Sequence, residues 1–71
     1  MAEQTIGEKR VVIGFNPSSN PHVDRIKKES ASLIDFCEGF KGKGGEAPRW
    51  AALAQTAYEE ACMYAVKAAT A

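Results

Sequence analysis

A chain of 71 residues with nine basic and nine acidic side chains has room for one domain with a small core. The charge balance excludes general binding to long nucleic acid, which takes a strongly basic surface, and no apolar run approaches the ~20 residues that span a bilayer. Domains this small draw extra stability from disulfides, a metal or partner chains. Cys37 and Cys62 each fall inside an apolar helical pattern with no secretory leader ahead of them, so they read as free, packed thiols. His22 is the only histidine and no Cys-x-x-Cys pair exists, which disfavours a zinc site. Partner chains remain, so an oligomer is expected, in the cytoplasm, with no cofactor and no metal.

Residues 1–8 read as a flexible polar terminus, followed by a single domain over 9–71. The segment KRVVIGF (9–15) is rich in β-branched residues and predicts a short extended strand, which needs a neighbouring chain or a helix to lie on. Gly14 permits a bend before Phe15. Asn20 is a good N-cap, with Ser19 competing, and Pro21 at the first helical position gives up an amide that has no helical partner anyway. The spacing Val23, Ile26, Ser30, Leu33, Cys37, Phe40 predicts helix one over about 20–41. The connector KGKGG (41–45) has the length of a helical hairpin turn. Its lysines read either as solubilising charges or as a phosphate loop, although the Gly-x-x-x-x-Gly-Lys pattern is missing. Helix two is predicted over about 47–69, rich in alanine, with Trp50, Ala54, Ala57, Ala61, Tyr64 and Ala68 on one stripe. It carries too little polar surface for one partner helix to cover, which predicts that it lines the centre of an assembly. The expected fold is all-α: a two-helix antiparallel hairpin with a short extended N-terminal segment, assembled into an oligomer.

The chemistry concentrates in Phe15-Asn16-Pro17-Ser18-Ser19-Asn20-Pro21 and the basic helix start that follows. Phe15 offers a face for a base, and Ser18, Ser19 and Asn20 offer hydrogen bonds. Amides at the start of helix one and Lys27 offer sites for phosphate. A two-fold protein pair would present this set twice to a ligand that is itself nearly two-fold symmetric. The bland alternatives are a hydrophobic staple for Phe15, a turn with a cap for the polar run, and a solvated lysine for Lys27. No serine–histidine–acid set is evident, and His22 in a first helical turn reads as a surface residue, so no catalysis is expected.

Lys9 to Asp35 followed by Ala47 to Thr70 resembles the small phage proteins with the anti-CBASS and Thoeris anti-defence helical-hairpin domain. The resemblance rests on the x-Arg-Ile-Lys segment at Arg25-Ile26-Lys27 and on Arg-Trp-x-x-Leu-Ala-x-Thr…Met-x-x-x-Lys-Ala over helix two. It implies a sponge that binds cyclic nucleotide alarm signals without cleaving them and keeps them from their effectors. It implies interlocked hexamers, cyclic dinucleotides such as cyclic GMP–AMP held between paired protomers, and cyclic trinucleotides at separate sites. For the dinucleotide it implies stacking on Phe15 and phosphate at Lys27, and Asn16, Pro17, Ser18, Ser19 and Asn20 beside them are the further candidate ligand contacts; for the trinucleotide it implies Arg49 and Thr56, with Gln55 beside them. The Thoeris branch implies cyclic ADP-ribose isomers as alternative ligands. Read without the resemblance, the same helices also suit a protein-interaction module.

Overall fold

The structure is a computed structural model that describes residues 3–71. Three α-helices and one 3-10 turn follow in order: α1 Ile6–Arg10, α2 Pro21–Glu38, the turn Gly39–Gly42, and α3 Ala47–Thr70. No strand occurs among the described residues. The stretch read as a strand instead splits into the last turn of α1 and an irregular turn ahead of Phe15. Local chemistry explains this. Thr5 and Glu8 form a reciprocal capping box, with Thr5 Oγ1 accepting from Glu8 N at 3.1 Å and Glu8 Oε1 accepting from Thr5 N at 2.8 Å. A lone strand would have had no edge to pair with. The terminal stretch read as flexible is therefore ordered from Thr5 onward, while residues 1 and 2 lie outside the described residues.

Helix α1 docks on α2 at Gly7. The Gly7 amide donates to Asp35 Oδ1 at 2.7 Å, and the Gly7 backbone lies against the Ala31 carbonyl, leaving no room for a Cβ. Helix α2 starts where the cap signal placed it. Asn20 Oδ1 accepts from His22 N at 2.8 Å and from Val23 N at 3.4 Å. Its last predicted turn tightens into the 3-10 segment, and Gly45 at φ 68 makes the left-handed step into α3.

Helices α2 and α3 run antiparallel: Asn20 Nδ2 donates to Ala69 O at one end, and Gln55 reaches Ile34 and Glu38 nearer the other. The core is Val11, Ala31, Ile34 and Cys62, flanked by Ile13, Ile26, Tyr58 and Val66; both thiols are buried and free. The predicted stripe of α2 keeps Val23 and Cys37 but is displaced by one residue between them, and that of α3 is displaced by one residue throughout. Helix α2 buries Val23, Lys27, Ala31, Ile34 and Cys37, and α3 buries Ala51, Gln55 and Cys62. The predicted stripe of α3 stays largely in solvent, with Trp50 57% and Tyr64 59% exposed. Leu33 and Phe36 on α2 are exposed too. The Cα atoms extend 43 × 30 × 12 Å.

Candidate functional site

A groove of about 460 Å³ opens between the turn after α1 and the middle of α3, and its lining includes Arg10, Val12, Phe15, Lys27, Thr56 and Glu59. Its floor is Lys27. The side chain is only 6% exposed, and its ammonium donates to the carbonyls of Val12 at 2.9 Å and Phe15 at 2.6 Å. The ring of Phe15 stands 5.5 Å from the same nitrogen and is 65% exposed. Lys27 forms no ion pair among the described residues. Buried charges are ordinarily paired, so an ammonium held only by two carbonyls and a π face keeps unspent attraction for an anion.

The backbone it grips is strained. Val12 sits at φ 54, a left-handed conformation that is uncommon for a β-branched residue and costs about 1–3 kcal/mol. The Val12 carbonyl is one of the two that Lys27 holds. The lysine therefore fixes the turn that presents Phe15, besides placing a positive charge beneath it.

The Asn16–Asn20 turn closes on itself rather than into the groove. Asn16 Nδ2 donates to Asn20 O at 2.8 Å, Asn16 Oδ1 accepts from Asn20 N at 3.1 Å, and Asn20 is occupied as the cap of α2. Asn20, expected to offer hydrogen bonds to a ligand, and Asn16, expected as a further ligand contact, are spent on the turn and the cap. Ser19 is at φ 52 and is not the cap. Phe15, Asn16, Pro17 and Ser18 instead line a second hollow of about 220 Å³ beside Val66 and Thr70, so the Phe15 ring borders both cavities.

The residues expected to share a second site separate. Gln55 is fully buried; its Nε2 donates to Ile34 O at 3.0 Å and to Glu38 Oε1 at 2.8 Å, and its Oε1 has no partner. It clamps the helix pair and is not open to a ligand. Thr56 lies on the groove, where its Oγ1 accepts from Arg10 Nη2 at 3.4 Å. Arg49, about two turns earlier on α3, sits over the Trp50 ring at 4.9 Å and does not line the groove. The connector lysines are engaged locally, Lys41 with Glu38 at 3.2 Å and Lys43 over the Phe40 ring at 5.7 Å.

Three charged groove residues were not legible as site residues: Arg10, Glu59 and Glu60. Arg10 Nε donates to Glu59 Oε1 at 2.7 Å, a pair that ties α1 to α3 across 49 positions. Nothing in the local pattern of either helix signals it. Among the described residues no group of three or more His, Cys, Asp or Glu side chains is placed to hold a metal, and no helix is long and apolar enough to cross a membrane.

Compared with known families, the chain matches the family described as Acb2/Tad1, hairpin domain, over residues 7–70. The match takes in α1, the groove and both long helices. No curated protein and no solved structure matches it.

Proposed function

This chain belongs to the Acb2/Tad1 hairpin family of anti-CBASS and anti-Thoeris sponges for cyclic nucleotide signals, and we propose that it captures cyclic dinucleotides such as cyclic GMP–AMP, without cleaving them, in the cytoplasm of an infected bacterium. The observation that carries this reading is Lys27: a nearly buried ammonium without a carboxylate partner, under an exposed aromatic ring, on the floor of a groove of ligand size. Stacking on Phe15 contributes ~1–3 kcal/mol per base, and a phosphate at Lys27 supplies the missing counter-charge.

Self-assembly into a hexamer belongs to the same proposal. A soluble domain normally covers most of its large apolar side chains, and this one leaves Phe36, Trp50, Leu53, Met63 and Tyr64 in solvent. The exposed stripe Trp50, Ala57, Ala61, Tyr64, Ala68 supports packing against further copies, with small residues that let helices approach closely. Arg49 beside Trp50 is the proposed contact for cyclic trinucleotides, away from the dinucleotide groove.

The test is calorimetric titration of the purified protein with cyclic dinucleotides, cyclic trinucleotides and cyclic ADP-ribose isomers, followed by chromatographic recovery of the ligand. Tight binding of a cyclic dinucleotide recovered intact is the expected result. Binding of only the ADP-ribose isomers would move the ligand class, altered ligand would mean an enzyme, and no binding to any would end the sponge reading for this chain.

A further inference from the structure

The charges of the groove do not suit a phosphate along its whole length. Lys27 and Arg10 are cationic, but Glu59 and Glu60 line the same space. A carboxylate repels phosphate and accepts only from donors, so the α3 side of the groove calls for a ligand edge rich in N–H groups. Arg10 and Glu59 are locked together there. Arg10 Nε donates to Glu59 Oε1 at 2.7 Å and Nη2 to Thr56 at 3.4 Å. Its other Nη protons and Glu59 Oε2 have no partner among the described residues. The pair thus offers a fixed row: a donor from the guanidinium, then the acceptors of the carboxylate.

We propose that the Arg10–Glu59 pair reads the Watson–Crick edge of a guanine, which makes the groove selective for guanine-containing cyclic dinucleotides. The inference rests on the sponge reading above and names the base that this site prefers. Guanine presents an acceptor, O6, beside two donors, N1–H and the 2-amino group. A guanidinium N–H meets O6, and a carboxylate accepts from both donors. Adenine sets the N1 acceptor beside the 6-amino donor, which turns a lone pair toward the carboxylate. Uracil has one donor between two acceptors, and cytosine has a donor followed by two acceptors, the opposite of guanine at every position. Base edges are told apart by such donor and acceptor patterns, and bases removed from a stack are commonly read on this edge. The exposed face of Phe15 supplies the stacking surface on the same groove.

The experiment titrates the intact protein with cyclic di-GMP, with its cyclic di-inosine counterpart, which lacks only the 2-amino groups, and with cyclic di-AMP. Cyclic di-GMP is expected to bind about tenfold or more tighter than the inosine ligand, the loss expected for a hydrogen bond to a charged acceptor. Cyclic di-AMP is expected to bind more weakly than cyclic di-GMP. Glu59→Gln offers one acceptor and one donor, the complement of the adenine edge, and is expected to invert the preference. Equal affinity for the guanine and inosine ligands, or an adenine preference in the unmodified protein, overturns the inference and leaves the sponge reading standing. Failure of every cyclic dinucleotide to bind overturns both. The comparison of ligands on the unmodified protein decides the matter even if Glu59→Gln does not fold, which a thermal scan reports.

Discussion

Gly7→Ala tests the link between the N-terminal helix and the groove. A Cβ at Gly7 would overlap the Ala31 carbonyl oxygen, stand 2.8 Å from the carbonyl carbon, and stand 2.8 Å from Asp35 Oδ1. The obstacle is mostly helix backbone, which does not step aside, so α1 must. Overpacking costs about 1–3 kcal/mol, and separating the Gly7 amide from the Asp35 carboxylate costs about 1.5–3 kcal/mol more. Alanine returns about 1 kcal/mol of helix propensity. The expected net loss is about 2–4 kcal/mol, or roughly 13–27 °C in Tm for a domain of 71 residues. The effect extends to the groove. Helix α1 runs directly into Val11 and Val12, so moving it draws the Val12 carbonyl from Lys27 and dislodges Phe15. Dinucleotide affinity should fall with stability, about tenfold or more. The assay is thermal unfolding by circular dichroism at one fixed protein concentration, since assembly makes Tm concentration-dependent, with calorimetry on the same samples. Gly39→Ala is the counterpart: helical φ of −62, nothing within 4 Å of a new Cβ, and an expected gain of about 0.4–1 kcal/mol. A Gly7→Ala protein with unchanged Tm and affinity would refute the docking argument.

Lys27→Met keeps most of the side-chain volume and removes the ammonium; dinucleotide affinity should drop about 10- to 100-fold, and retained affinity in calorimetry would remove Lys27 from the site. Arg49→Ala should leave cyclic dinucleotide affinity unchanged and weaken cyclic trinucleotides, because Arg49 lies outside the groove; equal losses for both ligand classes would contradict separate sites. Tyr64→Glu places a charge on the exposed stripe of α3 and should lower the mass measured by light scattering, whereas an unchanged mass would exclude that stripe from the assembly. The Glu38 carboxyl is held below its ordinary range by the hydrogen bond from Gln55 and then by Lys41. A lowered folded-state value means that its stabilisation is present at neutral pH, above the unfolded value. It is lost as pH falls through the ordinary carboxylate range to the lower folded value. Glu38→Gln should flatten part of that acid-side decline in Tm, and superimposable pH profiles would argue against it.

Much of the helical hairpin was legible in the residues because its signals are local. Asn20-Pro21 starts α2 by satisfying orphan amides, alanine favours α3, and the Gly-rich connector breaks the chain between them. Phe15 and Lys27 were legible as candidates for the same reason: an aromatic before a capped helix and a lysine near its apolar side are visible in the order of residues, and the structure brings both to one groove. The N-terminal segment was not legible as a helix. Its β-branched run outweighed a capping box that lies just before it, and the docking depends on Gly7 meeting Ala31 and Asp35 far along the chain. The side of α3 that faces its partner was misjudged by one position, about 100° of rotation, and so was the middle of α2 between Val23 and Cys37. A helix with apolar residues on several sides has no single stripe in its periodicity, so Gln55 and Lys27, both polar and both buried, fell outside the expected core. The order of residues determined the elements, their caps and the candidate ligand groups. Only the tertiary structure decided which faces meet, that two asparagines and a glutamine are spent on the fold, and that Arg10 and Glu59 pair with each other on the wall of the groove. Capping and propensity act within a few residues, whereas burial and ion pairing depend on distances that exist only once the chain has packed.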